Sequence, residues 1–234
     1  MDQKKVVVVA GVGPGNGAAI ARRFAVEGRP VAMLSRNKKH ADALAAEIDG
    51  ARGYACDVSD EASVKACFAA IRDDLGEVDA LVYNAGSGVF ADVETITADQ
   101  FEQAWRVNAL GSFLCAREVI PGMKAKGEGS IVFIGATASR RGGKMTAAFA
   151  PAKAAQRSLA ESMARSLWPA GIHVALLVVD GVVDLARTRA MMTDKPDDVF
   201  VDPAGVAEIA WQLTQQSKRA WSFELEARPF GENW

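Results

Sequence analysis

Val6-Val-Val-Val-Ala10, then Gly11-Val-Gly-Pro-Gly15-Asn16-Gly17, then Ala18-Ala-Ile-Ala-Arg-Arg-Phe24 is the stretch that decides the fold. Five apolar residues with no polar alternate describe a strand buried on both faces, as in a parallel sheet. Ile20 and Phe24, four apart, share one face of a helix. Between strand and helix, glycine permits a tight turn, and its missing Cβ lets a pyrophosphate approach the backbone. The exposed N–H groups at the helix start then receive the negative charge. Two registers fit, Gly11-x-x-x-Gly15-x-Gly17 and Gly13-x-Gly15-x-x-Ala18. Gly11, Gly13, Gly15, Asn16 and Gly17 are therefore the candidate phosphate cradle.

Working outward, short apolar runs alternate with longer amphipathic stretches, the pattern of βαβ units. Strands are predicted near residues 5–10, 31–35, 52–56, 78–83, 130–135, 172–179 and 221–226. Leu44 and Ile48 are expected to share a helix face. Thr97-Ala-Asp-Gln100 reads as a capping box opening a helix through Trp105. Asp202-Pro203 reads as an N-cap with Pro at the first helical position, starting a last helix near Gly205–Gln216. No repeat, low-complexity tract or linker interrupts the pattern. The predicted fold is α/β: a single doubly wound Rossmann domain over residues 1–234. Its seven-stranded, mostly parallel sheet is flanked by helices on both faces.

Composition narrows the partners. The chain has 234 residues, half of them hydrophobic, and 27 basic against 29 acidic side chains in mixed order. With no basic stripe, neither nucleic acid nor an anionic membrane is an expected partner. The apolar run after Lys5 is too short for a signal peptide or a spanning helix. Cys56, Cys67 and Cys115 lack metal-ligand spacing and read as buried thiols of a cytoplasmic protein; no metal site is expected. Tyr54 and Tyr83 lie on strands and read as packing.

The end of the second strand, Val31-Ala-Met-Leu-Ser35-Arg36, bears on nucleotide choice. An NAD site places a carboxylate there for the ribose 2′-hydroxyl. Ser35 and Arg36 instead suit a 2′-phosphate, which a guanidinium grips with paired hydrogen bonds. NADP(H) is the expected cofactor, with NAD(H) second.

In these motifs and their order the chain resembles the short-chain dehydrogenase/reductase family along nearly its whole length. Gly11, Gly15 and Gly17 match the family's glycine motif. Asp57-Val58 matches the pair after the third strand, where the resemblance implies a lining for adenine. Asn84-Ala85-Gly86 matches the motif after the fourth strand, Asn108 the tetrad Asn, and Lys153 the motif Lys. The resemblance implies a nicotinamide cofactor, a small-molecule substrate, and a homodimer or homotetramer built on the helices through Phe113 and Phe149–Trp168.

Three positions depart from the family pattern. Phe149 stands where the resemblance implies the proton-donating Tyr, Ala136 where it implies Ser, and Asp180-Gly181 where it implies the Pro-Gly beside the nicotinamide. A positioned general acid contributes roughly 10²–10⁴ in rate and an oxyanion donor about 10²–10³. Substitutes lie nearby. Thr137 and Ser139 follow Ala136 and offer hydroxyls, or serve as turn residues bonding their own backbone. Asp180, at the ligand-facing end of the sixth strand, is a candidate acid–base group paired with Lys153, or a turn former. Lys153, one helical turn from Phe149, is expected to reach the nicotinamide ribose. Arg187, Arg189, Met191 and Met192 lie in a segment, 182–201, read as a substrate-side lid. The expected function is an NAD(P)H-dependent oxidoreductase of a carbonyl, alcohol or enone; the alternative is a nucleotide-binding relative without turnover, a sensor or partner subunit.

Overall fold

The computed structural model describes residues 5–232; the first four and last two residues of the predicted domain lie outside it. Five parallel strands, β1 (Val6–Ala10), β2 (Val31–Ser35), β3 (Ala51–Ala55), β4 (Val78–Tyr83) and β5 (Gly129–Ala136), alternate with helices. β6 (Ile172–Val179) follows; β7 (Val182–Val183) pairs with β8 (Phe200–Val201) in a separate two-stranded ribbon, and β9 (Glu224–Ala227) closes the main sheet. The order β3-β2-β1-β4-β5-β6-β9 is parallel throughout, a seven-stranded doubly wound sheet. The strand order reverses at β1, and such a switch point opens a crevice at the carboxyl ends of the strands.

The four valines of β1 are fully buried. Val6 and Val8 enter one apolar layer, Val7 and Val9 the other, as a two-residue period requires. Each contributes about 1.5–3 kcal/mol of burial. On the second face, Ile20 and Phe24 of α1 (Asn16–Val26) pack beside α8 (Pro203–Gln215), and the Phe24 ring meets Trp211 edge-on.

Local signals set the helix ends. Asn37 caps α2 (Lys38–Ala45), Asp60 caps α3 (Glu61–Leu75), and Asp202 caps α8 by accepting from Ala204 and Gly205. The Thr97 capping box opens α4 (Ala98–Trp105). Leu44 and Ile48 do not share a helix face. α2 ends at Ala45, and Ile48 is buried from the turn leading to β3. The last strand also starts three residues later than predicted, because Trp221 stacks on His173 at 4.8 Å instead of entering the sheet.

Chemistry-bearing side chains elsewhere serve the core. His173 has a backbone carbonyl at 2.9 Å from each ring nitrogen. The three cysteines are free and buried, and burial pushes the Cys115 thiol up. Tyr83 is buried against Phe133, as a packing residue should be. Among the described residues no helix is long and apolar enough to cross a membrane, and no three metal-ligating side chains cluster.

Candidate active site

β1 ends at the glycine turn, and the turn needs its glycines for two separate reasons. Gly11 has φ +91°, and a Cβ there would lie 2.4 Å from the Ala85 backbone. A Cβ at Gly17 would lie 2.6 Å from the Gly11 carbonyl. Asn84 braces this approach, donating from its side chain to the Gly11 carbonyl at 2.7 Å and from its backbone to Ala10 at 2.8 Å. The loop after β4 is thus tied to the loop after β1.

A dinucleotide fits the turn on three observations. No side chain caps α1, and no acid stands in its first turn. Nothing lies within 4 Å of where a Gly13 Cβ would be, so the backbone there faces open space. The buried Oδ1 of Asn16 has no partner, an acceptor suited to a donor from outside the protein. Over Gly15 sits Leu185, whose Cδ2 would be 2.5 Å from an added Cβ. The segment 182–201 therefore folds back onto the turn. It is built from β7, α7 (Ala186–Met191) and β8, and its Arg189 pairs with Asp184 and Asp197 and covers the Phe200 ring.

At the end of β2, Ser35 is half-buried and Arg36 exposed. The Asp57 carboxylate faces the same corner. Hydrogen bonds from Ser59, with a smaller contribution from the Arg36 charge, hold it below the usual carboxylate range. Val58 is buried within the core cluster.

The second half of the candidate site begins in an irregularity. Between α4 and α5 (Gly111–Lys126) the helix widens into a π turn, Arg106–Leu110. Such a turn frees an i−4 carbonyl, and the Asn108 amide takes it, donating to Ala104 at 2.8 Å and to Ser87 at 3.1 Å. Asn108 is fully buried, and its Oδ1 has no partner. A Cβ on Gly86 would lie 3.4 Å from that oxygen and 3.8 Å from Lys153 Nζ. Gly86, Asn108 and Lys153 therefore surround one small space.

Lys153, on α6 (Phe149–Leu167), is 4% exposed. Its Nζ donates to the Ile134 carbonyl at 2.8 Å and to Gln156 Oε1 at 3.0 Å. Burial without a countercharge pushes this amine down to about 7. One turn earlier on the same helix, the Phe149 ring meets Phe90 at 5.6 Å. The loop carrying Phe90 is laced to the chain before α6 by the Ala91–Thr146 bridge.

The predicted Asp180–Lys153 pair does not form. Asp180 is fully buried and is held by Thr137, Arg228 and Arg141. Thr137 donates its hydroxyl to Asp180, and Ser139 accepts from the Ala136 backbone at 3.1 Å. Both hydroxyls are thus engaged within the protein. The reason Asp180 pairs elsewhere is β9, which brings Arg228 beside the end of β6, an arrangement no local pattern announces. Gly181 packs against Pro229 and Glu232. The residue that sequence reasoning overlooked is Gln156, whose only signal is a polar side chain on an inward helix face.

The family model for short chain dehydrogenase matches residues 5–196. The chain belongs to the short-chain dehydrogenase family. It is 38% identical over 132 residues to D-threitol dehydrogenase of Mycolicibacterium smegmatis, spanning 55% of this chain and about half, 51%, of that relative. A crystal structure of a short-chain dehydrogenase from Rhodopseudomonas palustris superposes with TM-score 0.82 at 38% identity, covering 97% of this chain and 99% of the other. A metagenomic short-chain oxidoreductase in complex with NADP superposes with TM-score 0.83 at 26% identity, over 96% and 97% of the two chains. The parallel sheet of this chain thus matches that of its structural relatives.

Proposed function

We propose that this short-chain dehydrogenase is an NADP(H)-dependent oxidoreductase acting on a small carbonyl, alcohol or enone at a site rebuilt without a phenol. The observation that carries the reading is the buried pair Asn108 and Lys153, converging on the exposed backbone of Gly86 beside an uncapped, glycine-lined helix start. Gly11, Gly13, Gly15 and Gly17 would hold the pyrophosphate, and Asn16 Oδ1 would accept from a nucleotide hydroxyl. Ser35 and Arg36 would hold a 2′-phosphate, and Asp57 and Val58 would flank the adenine. Asn84, Ala85, Gly86 and Lys153 would border the nicotinamide ribose, with Gly181 near the ring. The NADP complex of the metagenomic relative supports the choice of cofactor family.

A bound nicotinamide supplies or accepts a hydride. The chain's own residues provide the rest. Lys153, with its proton affinity lowered by burial, holds or releases a proton at Nζ near neutral pH. Asn108 keeps the π turn packed against the loop after β4. The part-buried Phe149 ring against the exposed Phe90 ring would offer an apolar edge suited to a substrate with an apolar or conjugated body. The bond between Thr137 and Asp180 would tie the ends of β5 and β6 together beside the site. The reading without turnover finds no support in relatives that are oxidoreductases. A homodimer or homotetramer would cover the half-exposed Phe101, Trp105 and Phe113 of the α4–α5 face, and a cytoplasmic location accords with three free thiols.

The test is a titration with NADPH and NADH, followed by loss of nicotinamide absorbance against a panel of ketones, aldehydes and enones. NADPH is expected to bind about tenfold more tightly or better, from the Arg36 contacts. Arg36→Glu is expected to reverse the preference. Binding with no turnover on any member of a broad panel would defeat the enzymatic reading.

A further inference from the structure

Gln156 is fully buried, yet it is a polar amide facing the interior from the middle of α6. Its Oε1 accepts from Lys153 Nζ at 3.0 Å, while its Nε2 has no partner among the described residues. Among the described residues, the other hydrogen-bond partner of Nζ is the Ile134 carbonyl at 2.8 Å. An ammonium has three N–H donors; a neutral amine has two and one lone pair. Two fixed acceptors therefore consume two valences and leave one. Gly86, by lacking a side chain, keeps open the space on Nζ's flank where the unpartnered Asn108 Oδ1 also lies.

We propose that Gln156 is a positioning residue for Lys153: its carbonyl fixes the amine's third valence toward the space between Gly86 and Asn108. Its neutrality is as important as its geometry. A carboxylate at this position would hold a permanent countercharge against the lysine, and an apolar side chain would free the amine to rotate. The groups facing Nζ are the Ile134 carbonyl from β5, Gln156 from α6, Asn108 from the π turn and the Gly86 backbone. None is charged, and burial alone lowers the amine's proton affinity.

The role rests on the reading that Lys153 meets the nucleotide, and the test separates the two. In the full chain without nucleotide, the Lys153 amine is titrated by isotope-edited NMR in the wild type, Gln156→Glu and Gln156→Met. NADPH and NADH dissociation constants are then measured across pH. Gln156→Glu is expected to move the Lys153 midpoint up by about one to three pH units. It should carry the pH dependence of nucleotide affinity with it. Gln156→Met is expected to weaken NADPH binding about tenfold without a comparable loss of thermal stability. An unmoved midpoint in folded Gln156→Glu would overturn the proposal. Should that variant fail to fold, Gln156→Met decides: unchanged affinity and an unchanged Lys153 titration overturn it. A shifted midpoint with no nucleotide binding in any form would uphold the Gln156–Lys153 coupling and defeat the cofactor reading instead.

Discussion

Thr137 donates a hydroxyl hydrogen bond to the Asp180 carboxylate, and that contact joins the end of β5 to the end of β6. The hydroxyl nearest the vacant serine position is thereby turned inward. Arg228, arriving from beyond β9, takes the other carboxylate oxygen. Asp180→Ala is expected to destabilise the protein by about 1.5–3 kcal/mol, the range for a buried hydrogen bond to a charged group. Urea denaturation with unchanged m-value would check it; a loss under about 0.5 kcal/mol would deny the carboxylate this clamping role.

Two glycine substitutions separate fold from nucleotide. Gly17→Ala forces a Cβ to 2.6 Å from the Gly11 carbonyl and should destabilise the turn. Gly13→Ala meets no protein atom within 4 Å and should leave thermal stability unchanged or slightly raised. NADPH affinity is expected to fall about tenfold or more in both. Full affinity in Gly13→Ala would place the pyrophosphate elsewhere.

Lys153 ties stability to alkaline pH. Its folded value near 7 lies below the unfolded value of about 10.4, so between these limits the unfolded chain binds the extra proton. Stability from this group therefore rises with pH across that window, by up to about 1.4 kcal/mol per unit. Lys153→Met should remove the slope and stabilise the apo protein at neutral pH while weakening NADPH binding. Parallel slopes for the two proteins from pH 7 to 10 would contradict a buried, weakly basic lysine.

Restoring the absent hydroxyls tests how much of the pocket survives. Phe149→Tyr combined with Ala136→Ser is expected to raise ketone reduction by about 10²-fold or more, the worth of a positioned acid. Steady-state kinetics on one panel for both proteins would show it. No gain, with NADPH affinity intact, would mean that the Phe90–Phe149 wall has reshaped the pocket beyond rescue.

The sequence by itself determined the strands, the glycine turn, the capping-box and Asp202 helix starts and the place of Lys153 on its helix, because each is written in residues close together along the chain. Val6–Val9 alternate between two apolar layers, Asp202 and Thr97 cap the helices that follow them, and Lys153 falls one turn from Phe149 on one helix. The partners of buried charges were decided by tertiary structure alone. Asp180 meets Arg228, 48 residues away, because β9 pairs with β6, and Lys153 meets Ile134 because α6 crosses β5. A buried charge must take the partner that packing brings to it, and packing joins residues that spacing in the chain leaves unrelated. Phe149 stood out in the sequence as a lost phenol, but only the fold revealed it as half of an aromatic wall with Phe90.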